Sequence, residues 1–192
     1  VLFRSTARED CEDALRRLGV EAVGIMAPSR VDPDVPIEDT VGALSRLVED
    51  GKLRFVGLSE AGVESIRKAN AVHPIVSLQM EYSLLTRDFE VEHKAVCAEY
   101  GMALMAYAPF GRGLLTGMFD DTAAIPEDDR RPKDFPRFQE GNLEKNLELV
   151  GKLRGLAVAK GATPAQIALA WTMAQGDEVF PIPGAKSRGH MR

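Results

Sequence analysis

The side chains best placed for chemistry stand where apolar segments of strand length end. Ser59, Gln79 and Tyr107 close three such segments, and Gly184 and Lys186 follow a fourth. If the segments are parallel strands, their carboxyl ends share one face, which is where ligands bind in such folds. Each residue alone also has a structural explanation, since Ser59 could cap a helix and Tyr107 could be a core residue with a satisfied hydroxyl. Polar groups at four successive strand ends favour a binding site.

A glycine-rich segment follows Tyr107 directly. Gly111, Gly113 and Gly117 superficially match the dinucleotide-binding fingerprint, but the last glycine comes one position late and no helix is predicted to begin there. The segment is therefore not interpreted as a Rossmann fingerprint. Glycines after a strand can still let backbone N–H groups approach a phosphate.

Patterns for metal binding or nucleophilic catalysis do not occur in the sequence. His73 and His93 lack a second ligand at metal-binding spacing, so both are interpreted as surface residues and no metal site is predicted. No Gly-x-Ser-x-Gly nucleophile motif is found. Cys11 and Cys97 fit neither a disulfide framework nor a spaced metal site, which favours a reducing cytoplasm.

The elements that must position these residues alternate along the chain. Strands are predicted at residues 22–27, 53–58, 75–79, 102–107 and 179–182, the first of them buried on both faces. Helices are predicted at residues 10–18, 38–49, 61–69, 90–100 and 143–156, with one more beginning at Thr163, which can form a capping box. Strands joined by helical crossovers require a parallel sheet. An open doubly wound sheet and a (β/α)8 barrel both fit, and a complete barrel takes about 250 residues.

Composition excludes several classes of protein. The 192 residues carry 24 basic and 29 acidic side chains, for a net charge of -5, and 45% are hydrophobic. The acidic balance argues against nucleic acid as a partner, because phosphate neutralisation needs a clustered basic surface. No apolar run approaches the ~20 residues that span a bilayer. These features predict a globular protein without nucleic-acid or membrane partners.

One long segment interrupts the alternation of strands and helices. Residues 111–141 are rich in glycine, proline and charge. A segment of this length is more often a lid or binding loop than a plain connection, although a disordered surface insertion also fits. Phe119, Phe135 and Phe138 favour partial order, since a fully solvated loop has no use for three phenylalanines.

Motifs spread over residues 9–186 resemble the aldo-keto reductases and follow that family's order. They are Glu9 to Gly19, Val31-Asp-Pro33, Gly51-Lys-Leu-Arg-Phe-Val-Gly-Leu-Ser-Glu-Ala61, Leu78-Gln-Met-Glu-Tyr-Ser83, Ala106-Tyr-Ala-Pro-Phe-Gly-Arg-Gly113, Pro136-Arg-Phe138 with Asn142 and Asn146, and Pro181-Ile-Pro-Gly-Ala-Lys186. The resemblance implies an α/β fold, namely an incomplete (β/α)8 TIM barrel. The five strands would correspond to barrel strands four to eight, which is about five of eight βα units.

The resemblance also implies an enzyme that uses NADPH (or NADP in the reverse direction) to reduce small aldehydes or ketones by hydride transfer. Ser59 and Gln79 match side chains that hydrogen-bond the nicotinamide carboxamide, and Tyr107 matches the aromatic on which the nicotinamide stacks. The residues that match the loop across the pyrophosphate are Ala108, Pro109, Phe110, Gly111, Arg112 and Gly113. Gly184 and Lys186 match the start of the segment that holds the adenosine 2′-phosphate.

The sequence departs from the family at its catalytic positions. Ser29 stands where the family has a histidine, and none of Tyr82, Tyr100 and Tyr107 matches the family's proton-donating tyrosine. That tyrosine and its lysine and aspartate would lie upstream of Val1. We therefore expect a single partial barrel domain, truncated at both ends, that is inactive alone and whose oligomeric state is not predicted. The alternative is a non-catalytic barrel remnant that binds a nucleotide or a protein partner.

Overall fold

The computed structural model describes residues 2–119, 125, 128–185 and 188–191, in two compact units. The first unit holds the residues up to Glu81, with Arg87–Tyr107 and Glu178–Phe180. The second holds Tyr82–Thr86, Ala108–Asp177 and the chain from Pro181 on. Within the described ranges, no helix combines the length and the apolar character needed to cross a membrane.

Five strands form one sheet and pair in the order in which they occur along the chain. They are β1 (Val23–Met26), β2 (Leu53–Ser59), β3 (Ile75–Glu81), β4 (Ala103–Tyr107) and β5 (Val179–Ile182). β1 to β4 pair in parallel, and the amide of Leu104 donates to the carbonyl of Glu178 at 2.8 Å, just before β5. A doubly wound sheet reverses its strand order at a switch point, whereas a barrel continues in chain order. The observed order confirms an α/β fold with about five βα units of a (β/α)8 barrel.

Helices precede and connect the strands of the first unit. They are α1 (Leu2–Leu18), α2 (Ile37–Glu49), α3 (Val63–Val72), α4 (Asp88–Glu92) and α5 (Lys94–Tyr100). In α2, Val41, Leu44 and Leu47 recur at the spacing of one helical face, and all three are buried. The helix predicted over residues 90–100 is instead two short helices that meet at His93.

β1 is not buried on both faces, so that part of the prediction is wrong. Ile25 is 44% exposed, and its register partner Phe55 on β2 is 51% exposed. β1 stands at one end of the strand order, where β2 is its neighbour. A continuous apolar run predicts a strand correctly here but does not determine what covers it.

His93 is buried, and the prediction of a surface position is wrong. Its side chain is 5% exposed, and its Nε2 atom lies 3.1 Å from the carbonyl oxygen of Ala61. The imidazole also stacks on the ring of Phe89, with ring centroids 6.5 Å apart. His93 is polar among polar neighbours in sequence, but the break between α4 and α5 turns it toward the core.

The second unit is mainly helical. Its α-helices are α6 (Arg131–Asp134), α7 (Asn142–Ala159) and α8 (Pro164–Met173), and its 3-10 helices are Gly111–Thr116, Pro136–Phe138 and Arg188–Met191. The predicted capping box of α8 is present, because the Thr163 hydroxyl accepts from the Gln166 amide at 3.2 Å and the Gln166 side chain accepts from the Thr163 amide at 2.9 Å. Leu143, Val150 and Leu153 bury one face of α7.

Much of the long segment is ordered around a core of its own. Phe119 and Phe138 are each 2% exposed and contact edge to face, with centroids 6.1 Å apart. Both pack in one cluster with Leu114, Leu115 and the buried face of α7. The phenylalanines therefore mark partial order, as predicted, over the part of this segment that the structure describes.

Candidate functional site

Three of the predicted site residues lie together at the carboxyl ends of neighbouring strands. Ser59 on β2 stands opposite Gln79 on β3, and Gln79 stands opposite Met105 on β4. Tyr107 comes two residues after Met105, so its side chain points to the same side of the sheet as those of Ser59 and Gln79. A hydroxyl, an amide and an aromatic ring thus share one face of the first unit, as the sequence predicted.

These side chains are sheltered to different degrees. Ser59 is buried, whereas Gln79 and Tyr107 are half-buried. Burial first, and then a hydrogen bond to the carboxylate of Glu60, raise the pKa of the Tyr107 phenol, and a hydrogen bond from Arg30 opposes them. The phenol therefore keeps its proton at neutral pH. Tyr107 thus offers a neutral aromatic ring to a ligand.

Glu60 is a site residue that sequence reasoning missed. Its φ is 50°, in the left-handed region that disfavours side chains. Its amide donates to the carbonyl of Gln79 at 2.9 Å, and its Oε1 accepts from the amide of Glu81 at 3.1 Å. Its Oε2 lies 3.7 Å from Nη1 of Arg30. A glutamate directly after the serine was visible in the sequence, but only the backbone geometry shows what it contacts.

Ser29 lies just beyond the end of β1. It is exposed and follows the buried Pro28. A hydroxyl there can donate to or accept from a polar ligand. Unlike an imidazole, it does not exchange a proton near neutral pH.

The segment after Tyr107 belongs to the second unit and has a run of left-handed backbone. The φ values of Gly111, Arg112 and Gly113 are 54°, 59° and 99°. The amide of Gly111 donates to the carbonyl of Ala108 at 2.8 Å, and that of Gly113 donates to the carbonyl of Phe110 at 3.0 Å. These two amides serve the loop itself, so a phosphate would have to be bound by other groups of the segment.

Arginine side chains hold this segment in place. The Arg112 guanidinium lies 3.9 Å from the centroid of the Phe135 ring, a cation–π contact. Arg131 donates from Nε to Asp129 at 2.9 Å and from Nη1 to the Arg112 carbonyl at 3.1 Å. The glycines in the sequence signalled a tight loop, but nothing signalled this cation–aromatic support.

The last two predicted cofactor residues follow β5. Gly184 is exposed in the second unit. Lys186 lies outside the described residues, so its predicted contact with a 2′-phosphate stays a prediction.

Comparison with known proteins agrees with the fold. A profile of the Aldo/keto reductase family matches residues 2–192. "Probable aldo-keto reductase 1" of Glycine max is 47% identical over 177 residues, which is 92% of this chain and 51% of that protein. A glycerol dehydrogenase from Gluconobacter oxydans superposes with a TM-score of 0.91 at 31% identity, over 98% of this chain and 57% of that one. A thermostable aldo-keto reductase in complex with the inhibitor epalrestat gives a TM-score of 0.73 at 27% identity, over 98% of this chain and 58% of that one.

The parallel strands in chain order, with polar side chains at their carboxyl ends, define a (β/α)8 barrel class of protein. The profile and the soybean relative narrow that class, and the chain belongs to the aldo/keto reductase family. The chain spans about half the length of the curated relative and solved structures that it matches.

Proposed function

We propose that the chain carries the nicotinamide-binding part of an NADPH-dependent oxidoreductase that reduces small aldehydes or ketones to alcohols. The observation that carries the proposal is the grouping of Ser59, Gln79 and Tyr107 on one face at three adjacent strand ends. A hydroxyl and an amide complement a carboxamide, which needs both donors and acceptors. A half-buried neutral ring suits stacking on a planar heterocycle. The residues present therefore fit the nicotinamide end of the cofactor.

Each residue has a stated part in the proposal. Ser59 and Gln79 hydrogen-bond the carboxamide, and Tyr107 covers one face of the nicotinamide and excludes water from it. The segment Ala108 to Gly113 follows the pyrophosphate, with Arg112 supplying positive charge, and Lys186 holds the 2′-phosphate. When bound, the cofactor supplies the hydride that reduces the carbonyl carbon. The proposed five βα units belong to one oxidoreductase barrel domain, and the proposed location is the cytoplasm.

The 192-residue chain by itself is proposed to bind the nucleotide without turning over carbonyls. Ser29 stands at the family's histidine position, and its hydroxyl can orient a carbonyl oxygen but cannot protonate it near neutral pH. Tyr107 does not match the family's proton-donating tyrosine, and burial and Glu60 raise the pKa of its phenol.

A fluorescence titration tests this function. NADPH added to the 192-residue chain should show saturable binding, and Gln79→Ala should weaken it by about fivefold, the loss of roughly one hydrogen bond. Gln139→Ala, at an exposed position in the second unit, is the matched control and should change nothing. Absence of binding in the folded wild-type chain would overturn the proposal.

A second candidate function is a nucleotide-binding module without catalysis, which the serine at position 29 favours. Both functions predict NADPH binding. Only the enzyme also predicts that an aromatic aldehyde, such as 4-nitrobenzaldehyde, binds beside the bound NADPH and changes its fluorescence without oxidising it. Rapid NADPH oxidation by this chain with that aldehyde would contradict the inactivity proposed for it.

A further inference from the structure

A polar cluster surrounds the hydroxyl of Tyr107 in the first unit. Tyr107 hydrogen-bonds the side chains of Glu60 and Arg30. Arg30 and Glu60 also approach each other directly, with Nη1 and Oε2 3.7 Å apart. Glu81 is the register partner of Tyr107 on β3, and its charge acts on the phenol from that side. The titratable groups that act on this phenol are thus Arg30, Glu60 and Glu81.

Glu60 is the member of this cluster that joins three strand ends. It directly follows Ser59, the last residue of β2. Its amide reaches the Gln79 carbonyl and its carboxylate reaches the Glu81 amide, both on β3. The same carboxylate contacts Tyr107 at the end of β4. One residue therefore adjoins Ser59 in the chain, bonds the backbone of Gln79 and reaches the hydroxyl of Tyr107.

The backbone conformation of Glu60 is energetically unfavourable, so the contacts around it must maintain it. A glutamate at a φ of 50° is in a region that most residues with side chains avoid. Such a conformation persists only where the surroundings fix it, and such residues cluster at functional sites. Here two hydrogen bonds to β3 fix it. The Glu60 amide donates to the Gln79 carbonyl at 2.9 Å, and the Glu60 carboxylate accepts from the Glu81 amide at 3.1 Å.

We propose that Glu60 is a positioning residue that sets the ring of Tyr107 through its hydroxyl and keeps Ser59, Gln79 and Tyr107 in register. The proposal rests on the proposed nicotinamide-binding function, since Tyr107 is the surface that Glu60 would position. Glu60 acts through Tyr107 and does not itself need to touch the cofactor. Arg30 lies beside this half-buried carboxylate and supplies a charge of the opposite sign.

The first measurement needs no cofactor. An alkaline titration of phenolate absorbance in the near ultraviolet, with Tyr107→Phe subtracted, isolates the Tyr107 phenol from Tyr82 and Tyr100. Glu60→Gln preserves the size of the side chain and its acceptor oxygen but removes the charge, so the pKa of Tyr107 should fall toward its ordinary value. Glu64→Gln, an exposed glutamate paired with Lys68 on α3, is the matched control and should leave the titration unchanged.

The second measurement is NADPH binding to the same variants. Glu60→Gln should weaken binding by about fivefold, and Glu60→Ala should weaken it further, because a loose ring is a poorer stacking surface. Glu60→Gly favours the left-handed backbone and so preserves folding while it removes the carboxylate. It should bind NADPH as weakly as Glu60→Ala.

The two measurements separate the two proposals. A shifted phenol titration in Glu60→Gln without NADPH binding to any variant would support the contact and overturn the nicotinamide function. NADPH binding that is equal in wild type, Glu60→Gln and Glu60→Gly, with an unshifted phenol, would overturn the positioning role and leave the function standing.

Discussion

Gly57 shows at the residue scale how tightly side chains pack beneath the candidate site. A Cβ atom at this position of β2 would lie 2.6 Å from Oγ of Ser77 and 3.2 Å from Cγ2 of Ile25. Ser77 is 3% exposed on β3, so its short side chain has little room to turn away. The space that a side chain at Gly57 would need is thus taken by the side chains of Ser77 and Ile25.

Gly57→Ala should destabilise the protein by about 1–3 kcal/mol, because an extra carbon is forced into a packed interior. Urea unfolding followed by circular dichroism measures the loss. Gly24→Ala is the control in β1, where an added Cβ meets nothing within 4 Å and stability should hardly change. Adding Ser77→Ala to Gly57→Ala removes the nearest atom and should restore part of the stability. Equal stability of Gly57→Ala and Gly24→Ala would contradict this account.

Residue types at the predicted strand ends predicted part of the candidate site. The backbone geometry of the structure added the rest. Ser59, Gln79 and Tyr107 could be predicted, since strand ends in parallel sheets converge on one edge. Glu60 could not, because its contacts depend on a positive φ that favours glycine and that no residue pattern announced. The amides of Gly111 and Gly113 were open to a phosphate in the sequence interpretation, but both bond within their own loop.

At the scale of elements, one buried hydrogen bond is made at the junction of α4 and α5. The Nε2 atom of His93 lies 3.1 Å from the carbonyl of Ala61, which is 1% exposed. The spacing of apolar residues predicted one continuous helix across this junction, because that spacing hardly changes there. The break at His93 therefore leaves no signal in that spacing.

His93→Leu should lower the free energy of unfolding by about 1–3 kcal/mol, because it leaves a buried carbonyl without a donor. Chemical denaturation measures it. His73→Leu, at a half-buried position after α3, is the control and should cost much less. Equal losses in the two variants would show that the Ala61 contact contributes little.

The start of α8 could be predicted because a capping box depends only on residues that are close together in the sequence. Thr163→Ala should lower stability by about 1 kcal/mol, since it removes the acceptor of the Gln166 amide. Thr163→Ser retains a hydroxyl and should retain nearly all the stability. If Thr163→Ser and Thr163→Ala unfold at the same urea midpoint, loss of the capping hydroxyl would not be the cause of the lower stability.

At the scale of the whole molecule, the sequence predicted the number and order of the strands but not the surroundings of single groups. Every strand–helix crossover repeats an apolar segment followed by an amphipathic one. The sequence alone therefore predicts these elements without knowledge of tertiary contacts. Burial is set by contacts distant in sequence. Cys11 and Cys97, far apart in sequence, are both buried and unpaired with each other.

The buried thiols of Cys11 and Cys97 and the half-buried phenol of Tyr107 make the stability of the whole molecule depend on pH. Burial raises the pKa of Cys97 from 9.0 to about 11 and also raises that of Cys11. Burial and Glu60 raise the pKa of Tyr107. An acid with a higher pKa in the folded state keeps its proton there while the unfolded chain releases it. Stability is therefore full below the unfolded pKa values and falls as pH rises through them.

We expect the free energy of unfolding to decline from about pH 9.0 toward pH 11, the window that Cys97 defines. Urea unfolding at a series of alkaline pH values measures the slope. Cys97→Ala removes the titrating thiol, so whatever its effect at neutral pH, its slope should be shallower than that of wild type. Tyr107→Phe should flatten the slope in the same direction, and the two changes together should flatten it most. A wild-type stability that stays constant across this window, or a Cys97→Ala slope equal to that of wild type, would show that burial of these groups is not what links folding to pH.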